Sequence, residues 1–191
     1  MLTKGEVKAL RLRAKWAWRK VSVQVVGPRT RPRLLRKQGA TIGENCQIYT
    51  TFLGTEPHRV FIGDRCLIAG DVLFLTHDTG AFSTGVKTVF DTIEIGDDVF
   101  VGQRAILLPG TRIGDKAVVG AGSVVRGEVP EGMVYVGNPA RPVCTTAEYC
   151  DKQVRRRLSK GLDPFAYGKQ QPSEPRTAES LPAEPGAADQ P

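Results

Sequence analysis

The stretch "IGDDVFVGQRAILLPGTRIGDKAVVGAGSVVRGEVP", residues 95–130, divides into sixes. The first positions are Ile95, Val101, Leu107, Ile113, Val119 and Val125. The fifth positions are Val99, Ala105, Thr111, Ala117, Ser123 and Val129, all small or β-branched. A helix would repeat apolar residues at threes and fours, and a hairpin sheet would alternate by two. Sixes with a turn-tolerant second residue predict short strands joined by tight corners, with glycine supplying φ > 0 at the corners. Internal repeats of this kind stack into a solenoid, where each coil buries its apolar side against the next.

The register extends upstream with gaps. "IGENCQ" starts at Ile42, "IGDRCL" at Ile62 and "IAGDVL" at Ile68, and Phe74 opens the next unit. Two segments interrupt it, residues 50–60 and residues 79 to about 92. Residues 39–143 are long enough for about six coils. Cys46 and Cys66 occupy the small fifth position and read as core filler. The other cysteines are Cys144 and Cys150. Four cysteines without paired ligand motifs read as reduced thiols in a cytoplasmic protein.

Charge is uneven. Residues 1–38 hold twelve Lys or Arg and one acid, whereas residues 39–150 hold eight bases and thirteen acids. The centre is therefore mildly acidic, which argues against a nucleic-acid-binding core. Residues 4–26 read as a basic amphipathic helix, expected to cover the end of the solenoid or to rest on an anionic membrane surface. "GPRTRPR" breaks that helix into a linker. The expected organisation is 1–38 helix and linker, 39–143 repeat domain, 144–167 helical extension and 168–191 disordered tail, the last from its Pro, Glu, Ala and Ser content.

Three patterns sharpen the picture: "FLTHDTG" at 74–80, "GTEPHRVFIGDRCLIAGDVLFLTHD" at 54–78 and "VGAGSVVRGEVPEGMVYVGNPARPV" at 119–143. Together with the sixes they resemble the hexapeptide-repeat acyltransferases. The similarity is greatest to bacterial polysaccharide or lipopolysaccharide O-acetyltransferases and to the maltose and galactoside acetyltransferase group. The resemblance implies an all-β left-handed parallel β-helix, a homotrimer with sites between subunits, and acetyl-CoA as acyl donor with no metal. It implies transfer to a hydroxyl of a sugar or glycan. Transfer to an amino sugar, and a non-catalytic scaffold with basic membrane- or partner-binding arms, stay open. A carbonic-anhydrase-like role is excluded, because its metal site needs three histidines and this chain has only His58 and His77.

The resemblance also assigns residues. His77 takes the place of the general base; free imidazole titrates near ~6.5 and is neutral enough at neutral pH to accept a hydroxyl proton. Asp78 is a candidate to orient the ring, although neighbours on a strand point to opposite faces, so a backbone carbonyl or Glu56 is the alternative. Glu56 is otherwise a candidate for holding an acceptor hydroxyl or pairing with an arginine. His58 reads as a surface-loop residue. Gln103 and Ala121 match positions that contact acetyl-CoA. Arg126 and Gly127 stand where the family often has Thr-Lys, and Arg141 matches a basic residue near the nucleotide end. Ordinary corners and solvated arginines are the plain alternative for these five.

Overall fold

A computed structural model describes residues 26–163. The basic helix expected at 4–26 and the tail expected from 168 lie outside the described residues, apart from Val26. The chain divides into two compact units after Cys150. In the second, the described residues from 151 onward complete the helix Thr146–Leu158 and close it with a turn at Gly161, φ +66°. No helix among the described residues is long and apolar enough to cross a membrane.

The first unit is a coil of mostly two- and three-residue strands that form three faces, closed by two longer strands at its C-terminal end. The first face holds β1 (Thr41–Ile42), β3 (Val60–Ile62), β8 (Ile93–Ile95), β11 (Arg112–Ile113) and β14 (Glu128–Val129). The second holds β2 (Gln47–Ile48), β4 (Leu67–Ile68), β9 (Phe100–Val101), β12 (Val118–Val119), β15 (Met133–Gly137) and β16 (Ala140–Thr145). The third holds β5 (Leu73–Phe74), β10 (Ile106–Leu107) and β13 (Val124–Val125). Only β15 and β16 pair antiparallel within these faces.

Register explains the period. Ile42, Ile62, Ile95, Ile113 and Val129 stack on the first face, and Phe74, Leu107 and Val125 on the third. All are buried, as are the fifth-position residues between them, including Cys46 and Cys66 as free thiols. From Ile95 to Ile113 one turn takes three sixes. From Ile62 to Ile95 it takes longer, because residues 77–90 leave the coil and return. The first face therefore has five strands, fewer than the six coils expected from length, since the interruptions consume chain.

Two expectations are corrected here. Val129 aligns with Ile113 as an inward first-position residue and not as a fifth. The last corner is two residues short, and Gly127 turns it at φ +75°. The left-handed backbone also falls elsewhere than expected. It lies at the fourth position, on Asn45, Arg65, Asp71, Asp98, Arg104 and Lys116 with φ between 55° and 59°, and there also on the glycines Gly110 and Gly122. The second-position glycines instead permit close approach between coils: a Cβ at Gly63 would lie 2.7 Å from the Gly96 carbonyl oxygen. A left-handed non-glycine residue costs roughly 1–2 kcal/mol, and hydrogen bonds at the corners offset part of this. Asp64, Asp97 and Asp115 each accept from a main-chain N–H of the preceding coil, those of Glu44, Asp64 and Asp97, at 2.7–2.8 Å. Arg65 closes on this column through Asp98 at 2.7 Å, which holds the Asp98 carboxyl below its ordinary range.

The segment expected to be linker contains a short helix, Arg31–Arg36, with Pro32 in its first turn, where a missing N–H is harmless. Leu35 plugs the open end of the core. Arg31 is buried and donates to the carbonyl oxygens of Ile48 at 2.9 Å and Tyr49 at 2.5 Å. Arg36 donates to those of Ile42 and Gly43 and pairs with Glu44 at 2.9 Å. The guanidinium groups thereby satisfy carbonyls that have no further coil to meet, which an exposed edge would otherwise leave for aggregation.

Candidate active site

The site is assembled where the third face turns toward the first. After β5 the chain runs through Leu75 and Thr76 into β6 (His77–Asp78) and leaves the coil. β6 pairs antiparallel with β7 (Val89–Phe90), His77 opposite Phe90 and Asp78 opposite Val89. The segment expected to be an irregular loop is thus a β-hairpin arm, with a 3-10 turn at Phe82–Thr84. It re-enters through Asp91, whose N–H donates to the Thr76 carbonyl at 2.9 Å.

The other wall comes from the preceding coil. Gly54 adopts φ +80°, and a Cβ there would stand 2.8 Å from the Phe74 carbonyl oxygen. Only glycine fits both constraints. Its close passage lays Thr55 and Glu56 beside Thr76 and His77. Glu56 Oε2 accepts from Thr76 Oγ1 at 2.6 Å, from Thr55 Oγ1 at 2.7 Å and from His77 Nδ1 at 3.1 Å. The Thr76 hydroxyl first, then those of Thr55 and the His77 ring, hold the Glu56 carboxyl down at about 2, against the pull of burial in the opposite direction. An ionised carboxylate can only accept, so Nδ1 carries a proton, and in the neutral ring Nε2 is then the lone-pair acceptor. The His77 side chain is 37% exposed, enough for Nε2 to meet a substrate.

Glu56, not Asp78, is the partner of the ring. Asp78 lies on the opposite face of β6 and its carboxylate accepts from Gly80 N at 2.7 Å, as expected for adjacent strand residues. Thr55, Thr76 and Phe90 escaped the sequence reasoning. Thr76 was adjacent to the histidine, and its position before it in "THD" was the available signal. Phe90 stands 5.7 Å from the His77 ring centroid, tilted by 52°. His58 is exposed in the 3-10 turn Pro57–Arg59 and takes no part.

The residues assigned to the acyl donor fall on two edges. Gln103 and Ala121 lie at successive corners between the second and third faces, with Gly122 N donating to Gln103 O at 2.8 Å. Both are exposed. This edge is poor in side chains: a Cβ at Gly122 would meet nothing within 4 Å, and one at Gly70 only the end of Gln103. Gly137 N donates to Ser123 Oγ at 3.0 Å, which ties the β15–β16 turn to the same edge, and Arg141 follows it, exposed. Arg126 and Gly127 sit on the other edge, between the third and first faces, in the column of corners that begins at His77. The structure thus groups Gln103, Ala121 and Arg141 along the glycine-rich edge and separates them from Arg126 and Gly127. Among the described residues no cluster of His, Cys, Asp or Glu has metal-binding geometry.

Comparison with known proteins follows the same lines. Residues 92–126 match the family model described as hexapeptide repeat of succinyl-transferase. The chain is 38% identical to protein CapG of Staphylococcus aureus over 122 residues, 60% of this chain and 71% of that one. It is 40% identical over 94 residues to WbbJ of Escherichia coli K12, a candidate lipopolysaccharide-biosynthesis O-acetyl transferase; the match spans 43% of this chain and 48% of WbbJ. Among solved structures, a hexapeptide-repeat acetyltransferase of Vibrio cholerae in complex with acetyl coenzyme A superposes with a TM-score of 0.52 at 25% identity, over 75% of this chain and 90% of that one. Repeat register, corner geometry and relatives agree, and the chain belongs to the hexapeptide-repeat acetyltransferase family.

Proposed function

We propose that this protein transfers an acetyl group from acetyl-CoA to a hydroxyl of a sugar or glycan, with His77 as general base. The observation that carries this is the ring geometry: Nδ1 is committed to an ionised Glu56 at 3.1 Å, so Nε2 is the accepting nitrogen. Acetyl-CoA supplies an activated thioester. His77 Nε2 takes the acceptor hydroxyl proton as its oxygen bonds to the acetyl carbon. The carbon–sulfur bond breaks, and the imidazolium returns the proton to the departing thiolate. Glu56 holds the ring in one tautomer and stabilises its positive charge, as carboxylates do in other base dyads. Coil-corner N–H groups are suited to the developing oxyanion. The relatives support the chemistry: the Vibrio protein was solved with acetyl-CoA, and WbbJ is named for O-acetyl transfer in lipopolysaccharide biosynthesis.

In this reading the coil winds left-handed, as the family resemblance implies, and three copies assemble so that a neighbour supplies the second wall of the donor groove. Leu73 and Leu75, 48% and 40% exposed on the outside of the third face, are apolar residues that such a neighbour would cover. Release of free thiol from acetyl-CoA, measured against a panel of neutral and charged sugars, tests the proposal. Acceptor-dependent release with an ester product supports it. Release that no sugar stimulates overturns it.

A further inference from the structure

The turn that brings Glu56 to His77 also presents a cation. Arg59 N donates to Glu56 O at 2.9 Å, so the 3-10 turn Pro57–Arg59 fixes the two residues three positions apart. The side chains diverge. Glu56 is occupied by its three donors, and the Arg59 guanidinium lies over Phe90, its carbon 5.3 Å from the ring centroid. Phe90 is in turn the ring that stands against His77. Among the described residues Arg59 forms no ion pair, although Arg65, Arg104 and Arg112 all have charged partners. A guanidinium held over an aromatic face by cation–π attraction has N–H groups at its rim, and that fork matches the two oxygens of a carboxylate or phosphate. Phe90 is 47% exposed and offers an apolar surface of the size of a pyranose ring.

We propose that Phe90 and Arg59 form an acceptor subsite beside the base, selective for a sugar that carries an anionic group, carboxylate or phosphate. The sugar ring rests on Phe90 with a hydroxyl toward His77, and the anion meets the outer edge of Arg59. This rests on the sugar-hydroxyl reading above and narrows it to acidic acceptors.

The test compares three acceptors at fixed acetyl-CoA: methyl glucuronoside, glucose 1-phosphate and methyl glucoside. Wild type is predicted to favour at least one anionic sugar over the neutral one by about 10-fold in kcat/KM, the scale of one charge-assisted hydrogen bond. Arg59→Gln should erase that ratio through KM, Arg59→Lys should restore part of it, and added salt should raise KM for the anionic sugar in wild type. The anion whose ratio depends on Arg59 identifies the group recognised. Preference for methyl glucoside, or an anionic preference that persists in Arg59→Gln, overturns this inference and leaves the sugar-hydroxyl reading standing. Transfer to none of the three sugars overturns this inference, and failure of the whole sugar panel overturns both.

Discussion

Glu56 and His77 are 21 residues apart in sequence and joined by one hydrogen bond, Oε2 to Nδ1 at 3.1 Å. The bond exists because one turn of the coil stacks the "TEP" segment on "THD". It fixes which nitrogen of the imidazole can act. Glu56→Gln should therefore reduce kcat more than it raises the KM for acetyl-CoA. An amide can accept at its oxygen, but it cannot stabilise an imidazolium as a carboxylate does. A loss of about 10-fold or more in kcat is expected, since general base assistance as a whole is worth about 100-fold or more. Equal kcat in the variant would remove Glu56 from the machinery.

The same carboxyl links stability to pH. Its value is depressed in the fold, about 2 against an ordinary 4.5, chiefly by Thr76. A depressed carboxyl stabilises the fold above its unfolded value, and that contribution disappears as pH falls from about 4.5 to about 2. The gap in melting temperature between wild type and Glu56→Gln should be present at neutral pH and close across that window. A gap that stays constant down to pH ~2 would show that the carboxylate does not hold these partners in solution.

Gly54 should tolerate no side chain. With φ +80° and the Phe74 carbonyl oxygen 2.8 Å from where a Cβ would stand, Gly54→Ala must shift one coil against the other. A stability loss of roughly 1–3 kcal/mol is expected from the backbone strain alone. Activity should fall further than stability accounts for, because Glu56 moves with Gly54. Chemical denaturation paired with kinetics on the folded fraction separates the two effects.

The aspartate column is structural. Asp97→Ala deletes the acceptor for Asp64 N and weakens the Arg65 cluster. A cost of about 1 kcal/mol is expected, below the ~1.5–3 kcal/mol of hydrogen bonds to a charged group because the site is exposed. Thermal denaturation should register the loss while KM for acetyl-CoA stays at its wild-type value. An unchanged melting temperature would mean that water replaces the carboxylate without cost.

Assembly has a direct measurement. Light scattering should give about three times the 20.8 kDa chain mass if neighbouring subunits complete the donor groove. An active monomer would contradict that part of the account.

The repeat was legible because its inward residues obey one spacing: Ile95 to Val125 stack as the sixes require. It lost accuracy where spacing changes without a change in composition. Val129 reads equally well as a fifth-position or first-position residue, and only the shortened corner at Gly127 decides. The left-handed corners were misplaced because arginine, lysine and aspartate carry no signal for positive φ comparable to glycine. His77 was legible as a lone histidine at the edge of a repeat. Its partner was legible only as one alternative, Glu56 beside Asp78 and a backbone carbonyl, since the vertical register between residues 54–56 and 74–77 depends on how many residues each interruption removes from the coil. Asp78 was adjacent in sequence but on the wrong side of the strand. Arg59 and Phe90 meet only because the hairpin arm folds back, an antiparallel pairing that no six-residue pattern contains.

The central claim is that His77 is the base. The most direct test is the turnover of His77→Ala with acetyl-CoA and an acceptor that wild type uses, alongside its binding of acetyl-CoA. His77 lies at the strand edge with a half-exposed ring, so the variant should remain folded and bind acetyl-CoA normally. Its kcat should fall by about 100-fold or more, the scale of losing a general base. A folded His77→Ala protein that turns over within a few-fold of wild type would contradict the account and place the base elsewhere.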